Sequence, residues 1–342
     1  MAVKPERKTG ESPSKEKAEI FRFDLLSSLR KKAIISGMRL AVFLELVEIK
    51  AKTASFFPFL LGVFFAFYHF GALDIPTALL LYLAMFLFNM LVDALDNYMD
   101  YHRAQKGHDY KTKTNIIGRE NLSPTHILLL IVVLFILSAG IGLCLVAKTG
   151  LPLLYLGMFS FLVGITYSAG PLPISSTPLG EVFSGFTMGF CIPLITVYVC
   201  TKTTAIFSAA QLARILFACI PNICAIAALM LANNIGDLQE DIINLRYTLP
   251  YYIGKPKALG LLKLLYLGSF FAFVMGAVIK IYPLTMLASV LFLPLILKNA
   301  AAFRAHPNKQ TGFIAAVKNL FIISLIQSLL FLIGLCVEKF IF

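Results

Sequence analysis

Charge is scarce in this chain, and acid is scarcer than base: 18 Asp and Glu stand against 30 Lys and Arg in 342 residues, with 14% of positions charged. Paired cysteines are missing too. The six present (Cys144, Cys191, Cys200, Cys219, Cys224, Cys336) lie in apolar segments without metal-ligand spacing, which argues against a disulfide framework or a thiolate metal site and for packing as small hydrophobes. His102, His108 and His126 have no second His or Cys at ligand spacing and read as interfacial residues. No nucleic-acid motif accompanies the net charge of +12, so that charge reads as membrane topology and lipid-surface contact, with no nucleic-acid partner. No cleavable signal is expected, because the charged stretch from Met1 to Lys17 leads into no compact apolar core with small residues after it.

What the sequence has in excess is apolar length. Phe, Leu and Ile dominate runs of about 18 to 25 residues, enough to cross a bilayer as a helix. Pro, Gly and charge interruptions divide them into nine spans, near 53–70, 77–101, 125–147, 151–168, 179–201, 211–235, 258–280, 283–301 and 313–337. The predicted fold class is all-α, a polytopic bundle. Arg103, Lys106, Lys111, Lys113 and Arg119 follow the second span, Arg246, Lys255 and Lys257 the sixth, and Arg304 and Lys309 the eighth. By the positive-inside rule the N-terminus and the loops after spans two, four, six and eight face the cytosol, in a multi-pass protein of the cell membrane with Phe342 on the far side. Residues 1–44 are expected to form a basic cytosolic arm, partly disordered or an interfacial helix, ahead of a membrane domain over 45–342.

Against this background two acidic stretches stand out, each ending a span and preceding a basic loop. In the first, Asn89, Asp93, Asp96 and Asp100 are spaced four, three and four apart; in the second, Asn233, Asp237, Asp241 and Asn244 follow the same plan. On a helix each set falls on one stripe. A charged side chain within a membrane helix costs roughly 2.5 to 3.5 kcal/mol on insertion scales, so such acids persist beside a cavity, a partner charge or a metal. Hard oxygen donors suit Mg²⁺, which completes its shell with water and substrate phosphate. Two facing stripes with Mg²⁺ between them would hold a diphosphate and ease departure of that leaving group. Lys52, Lys111, Lys113, Arg119 and Arg246 are the cations near these helix ends that can complete the cradle. Glu240 and Asp109 read equally as solvated loop charges.

These residues resemble the UbiA superfamily of intramembrane prenyltransferases, with its nine helices and two aspartate-rich motifs. Asn233-Asn234-Ile-Gly-Asp237-Leu-Gln-Glu-Asp241, with Arg246-Tyr-Thr248-Leu249 after it, is similar to the branch that prenylates 1,4-dihydroxy-2-naphthoate. So are Tyr167-Ser-Ala-Gly170-Pro171-Leu-Pro173 with Leu179-Gly180-Glu181, and Lys52-Thr53 ahead of Pro58 and Gly62. The first motif departs from the family's Asn-Asp-x-x-Asp: here Asp96-Asn97-Tyr98-Met99-Asp100 exchanges the first two residues, leaving open which of Asp93, Asp96 and Asn97 meets the metal. The resemblance implies a bilayer enzyme in which Mg²⁺ and basic residues bind a polyprenyl diphosphate and an aromatic acceptor captures the allylic cation. Asp93, Asp96, Asp100, Asp237 and Asp241 would be catalytic and, with Asn89 and Asn233, metal-binding; Lys52, Asn97 and the loop cations would bind substrate. Tyr98 and Tyr167 can offer ring faces to the cation. Runner-up acceptors are 4-hydroxybenzoate and homogentisate. Two other classes stay open: a secondary transporter relaying protons or metal through the acids, against which the lack of mid-span Gly/Pro breaks beside them counts, and a non-catalytic isoprenoid-binding scaffold.

Overall fold

The computed structural model describes residues 38–104 and 110–341. The N-terminal arm through residue 37, together with Lys106, His108 and Asp109, lies outside the described residues. Contacts divide the chain into two compact units, Met1–Glu45 and Leu46–Phe342.

Among the described residues nine helices are long and apolar enough to cross a membrane, and there is no strand. They are α1 (Thr53–Phe70), α2 (Ile75–Arg103), α3 (Pro124–Thr149), α4 (Leu151–Ser168), α5 (Gly180–Thr201), α6 (Ala209–Ile243), α7 (Lys255–Val278), α8 (Leu284–Ala305) and α9 (Phe313–Ile341). Their starts follow local chemistry. Asp74 caps α2 by accepting from the Thr77 amide (3.1 Å), just ahead of Pro76, whose fixed φ suits a first turn. Between α3 and α4 the chain reverses at Gly150 alone, at φ 99°, a value side-chain-bearing residues rarely adopt.

Several helices outrun the hydrocarbon layer, and two of them, α6 and α2, carry the acids. At about 1.5 Å per residue the 35 residues of α6 reach about 50 Å and the 29 of α2 about 43 Å, against a core of about 30 Å. The acids sit on the excess: Asp237 and Asp241 in the last two turns of α6, Asp93 to Asp100 in the last three of α2. The expected sixth span, ended at residue 235 on hydropathy, therefore stops short of the helix, because backbone hydrogen bonding continues where apolarity does not.

α5 and α6 are the most enclosed helices, whereas α3 and α4 turn most of their surface outward, exposing Leu129, Ile136 and Leu162. α6 packs on α1, α5, α7 and α9; α2 packs on α3, α4 and α5. Small residues bring backbones close, as membrane helices without a hydrophobic drive between them require. A Cβ on Gly189 would stand 2.7 Å from the Ile223 amide nitrogen of α6, and α5 makes a π-helical turn there, over Thr187–Cys191. Pro221 interrupts α6; beside it the Ala218 carbonyl accepts from Tyr282 and from Gln327 (3.1 Å), and the Pro221 carbonyl from Ser269 (3.2 Å). This buried network ties α6 to α7, α9 and the turn before α8.

Candidate active site

The first stripe is held from two sides. Lys52 ends a 3₁₀ turn (Ile49–Lys52) leading into α1 and is 6% exposed; its ammonium reaches α2, pairs with Asp93 and donates to the Asn89 carbonyl (3.0 Å). Asn89 lies beside it with its side-chain nitrogen buried and unpartnered, a donor suited to a phosphate oxygen. On the other side the Ser168 hydroxyl, at the end of α4, donates to Asp96 (2.6 Å). Arg103 fixes that chain end by donating to the carbonyls of Ser168 (2.8 Å) and Gly170 (2.7 Å).

Asn97 turns away from the acids. Its amide donates to the carbonyls of Leu46 (3.2 Å) and Asp93 (3.1 Å), and its own carbonyl accepts from Asn115 (3.0 Å), whose side chain caps the short helix Ile116–Arg119. The exchange of Asp96 and Asn97 thus puts the carboxylate on the stripe and gives the amide a backbone-bracing role.

The second stripe closes on the first through Arg246. Leaving α6, Leu245 adopts a left-handed conformation (φ 58°), and the Arg246 amide returns to the Asp241 carbonyl (2.8 Å), a Schellman-type stop made without glycine. For an L residue that conformation costs roughly 1–2 kcal/mol. It folds the Arg246 side chain back over α6, where its guanidinium meets Asp241 (3.4 Å) and, across the bundle, Asp100 (3.6 Å). Asp241, 5% exposed, also accepts from Thr248 (3.4 Å), while Tyr247 and Arg246 hold the α4–α5 segment through the carbonyls of Ser176 (3.0 Å) and Ser175 (3.4 Å). Asp237 pairs with Lys309 from the α8–α9 turn (2.7 Å). Crowding by protein disfavours the Lys309 charge, but Asp237 and Glu48 outweigh it, so its pKa is raised. Glu48, at the rim before α1, has its carboxyl raised by desolvation and by the charge of Asp96, with Lys309 and Lys52 opposing. Lys52 from the turn before α1, Arg246 after α6 and Lys309 from the α8–α9 turn thus each meet an acid of one of the two stripes.

The remaining expected residues are placed less centrally. Lys111 rests over the Tyr101 ring (4.3 Å), Arg119 pairs with Glu120 (3.4 Å), and Lys113 is exposed. Tyr98 lies about 160° around α2 from Asp100, its ring against His102 (4.2 Å). Asn233 is half-buried on α6, and the Asn244 amide turns to the Glu240 carbonyl (3.0 Å). Tyr167 does enter the interior, with a buried hydroxyl. Sequence reasoning read Lys309 for topology alone and passed over Ser168 and Thr248; each lies within or beside a quoted run, but its partner is distant in the chain.

Among the described residues no three His, Cys, Asp or Glu side chains already converge as a metal cage. Mg²⁺ asks for less, since one or two carboxylates plus substrate phosphates usually suffice. Asp96, Asp100, Asp237 and Asp241 are all hard oxygen donors, and Arg246 links Asp100 to Asp241, so their chemistry fits that requirement.

Residues 55–326 match the model of the UbiA prenyltransferase family. The chain belongs to the UbiA prenyltransferase family. It is a prenyltransferase. It is 31% identical over 222 residues to the 1,4-dihydroxy-2-naphthoate octaprenyltransferase of Bacillus subtilis (strain 168), covering 64% of this chain and 68% of that one. The fold is similar to that of a UbiA homolog from Aeropyrum pernix K1 in its apo state (TM-score 0.62, 16% identity, 84% and 98% of the two chains). It is also similar to a UbiA homolog from Archaeoglobus fulgidus bound to DMAPP and Mg²⁺ (TM-score 0.58, 14% identity, 86% and 99%).

Proposed function

We propose that this UbiA-family enzyme transfers a polyprenyl group from polyprenyl diphosphate to 1,4-dihydroxy-2-naphthoate in a Mg²⁺-dependent reaction, giving the quinol form of demethylmenaquinone. The observation that carries the site is Arg246, one guanidinium between Asp100 of the first motif and Asp241 of the second. The acceptor rests on the similarity to the B. subtilis enzyme.

The diphosphate lies between the stripes, with Asp96, Asp100, Asp237 and Asp241 the residues that would hold Mg²⁺. When bound, the ion neutralises the diphosphate oxygens and favours ionisation of the carbon–oxygen bond. Arg246 and Lys52 orient the oxygens, and the Asn89 amide donates to one of them. Lys111, Lys113 and Arg119 steer the anion toward the cleft by long-range attraction. The isoprenoid tail runs down between helices lined by Phe and Leu, which keep water from the allylic cation until capture; the Tyr167 ring faces that cation, and Tyr98 has an interfacial role. With Lys and Arg concentrated on the α2–α3, α6–α7 and α8–α9 loops, the mouth and N-terminus face the cytosol of the cell membrane.

Purified protein with Mg²⁺, a chain-length series of prenyl diphosphates, and 1,4-dihydroxy-2-naphthoate, 4-hydroxybenzoate or homogentisate tests this by mass spectrometry of the products. A decarboxylated, prenylated naphthoquinol is expected as the preferred product. Preference for another acceptor refutes the naphthoate assignment, and ion flux in liposomes without any prenylated product refutes the enzyme site as drawn.

A further inference from the structure

A second polar cluster lies beside the carboxylate stripes. Glu181, in the first turn of α5, is 4% exposed; its Oε1 accepts from the Asn234 amide (2.9 Å), while its Oε2 is buried without a partner. Tyr167, near the end of α4, likewise buries an unpartnered hydroxyl, with the Ser184 hydroxyl nearby but outside hydrogen-bonding geometry. Gly180 lies against it, a Cβ there standing 3.5 Å from the Tyr167 oxygen, an ordinary contact. Two unpartnered oxygens in one enclosed place are expensive to keep, because an unsatisfied buried hydroxyl or carboxylate forfeits its hydration.

The position is informative. Ser168, next to Tyr167, holds Asp96, and Asn234 lies three residues before Asp237 and seven before Asp241, about 5 and about 10 Å along α6. A prenyl diphosphate held by the stripes directs its first carbon inward, so a ring attacking that carbon comes to lie in this layer.

We propose that Glu181 and Tyr167 form the acceptor subsite, with Glu181 Oε2 the catalytic base for the ring hydroxyl and the Tyr167 hydroxyl a second hydrogen-bonding contact to the ring substituents. This rests on the prenyltransfer reading above. As the ring carbon bonds to the prenyl carbon, the ester C–O bond breaks and its electron pair leaves with the diphosphate. The hydroxyl proton passes to Glu181 and the ring becomes a ketone at that position. With a carboxylate at the attacked carbon, CO₂ departs, its bonding pair restores the aromatic ring, and Glu181 returns the proton.

Full-length enzyme with Mg²⁺ is assayed for kcat and for KM of each substrate as wild type, Glu181→Gln and Tyr167→Phe. Glu181→Gln keeps the bond to Asn234 and is expected to lower kcat by about 100-fold or more, the scale of general base catalysis, at unchanged KM for the prenyl diphosphate. The deficit should shrink for acceptors with more acidic ring hydroxyls, which a structural role would not produce. Tyr167→Phe should raise the acceptor KM without lowering the melting temperature. Acceptor kinetics within threefold of wild type in both variants, or a deficit indifferent to hydroxyl acidity, overturns the proposal. Should Glu181→Gln not fold, Tyr167→Phe decides alone. If the wild type prenylates a different phenol, the naphthoate assignment fails and the same series with that phenol decides the subsite.

Discussion

Replacing Arg246 with Gln separates binding from scaffolding. In the structure its guanidinium meets Asp100 at 3.6 Å and Asp241 at 3.4 Å with its side chain 24% exposed. Those distances are long and water reaches the group, so the two pairs contribute no more than about 1 kcal/mol to stability after solvent screening. A diphosphate oxygen accepting from the same guanidinium gains a charge-assisted bond of about 1.5–3 kcal/mol, which corresponds to about a 10- to 150-fold change in affinity. The variant is therefore expected to raise the KM for prenyl diphosphate by that factor while the acceptor KM and the melting temperature change little. Steady-state kinetics with each substrate varied in turn, beside thermal unfolding in detergent, provides the check. A diphosphate KM within threefold of wild type, together with a clear loss of thermal stability, would make Arg246 a staple between helices and refute the reasoning.

Asp237→Ala and Asp241→Ala should each abolish turnover with the folded fraction retained on size exclusion, and activity surviving in both would remove the second motif from the site. Lys309→Met takes the competing cation from Asp237 and should lower the Mg²⁺ concentration for half-maximal rate; an unchanged or higher requirement contradicts that competition. On the opposite end of α2, the hydrogen bond from Lys202 holds the Asp74 carboxyl down to about 2 from 3.8. A depressed acid stabilises above its unfolded pKa, so Lys202→Ala should cost up to about 1 kcal/mol at neutral pH, a difference that closes as pH falls from about 4 to about 2; a gap unchanged across that window denies the pair any role. Gln327→Leu strips a partner from the Ala218 carbonyl and from the Tyr282 hydroxyl (2.8 Å) and should lower stability by about 0.6–1.7 kcal/mol, the range of interhelical membrane hydrogen bonds, with kcat preserved.

The nine helices were legible because a span is a local property: a run of apolar side chains either reaches across a bilayer or does not. The stripes were legible for the same reason, since spacings of three and four place Asp96 with Asp100 and Asp237 with Asp241 whatever the tertiary fold. Pairing across the bundle was not. Lys309 meets Asp237 from 72 positions away, and its run of sequence reads as an ordinary basic turn. Arg246 was singled out as a cation, but its reach to both motifs depends on Leu245 adopting a conformation that glycine normally supplies. Hydropathy also ended α6 too early, because its last turns are polar and helical at once. The exchanged Asp96 and Asn97 became interpretable only through partners, Ser168 for the acid and the Leu46 carbonyl for the amide.

The central claim is that the two acidic stripes form one Mg²⁺-dependent diphosphate site. Calorimetric titration of a non-reactive prenyl thiolodiphosphate into wild type, Asp100→Asn and Asp241→Asn, with and without Mg²⁺, addresses it directly. Binding that requires Mg²⁺ and weakens at least tenfold in both variants is predicted. Binding indifferent to Mg²⁺, or sensitive to one stripe alone, would contradict the account.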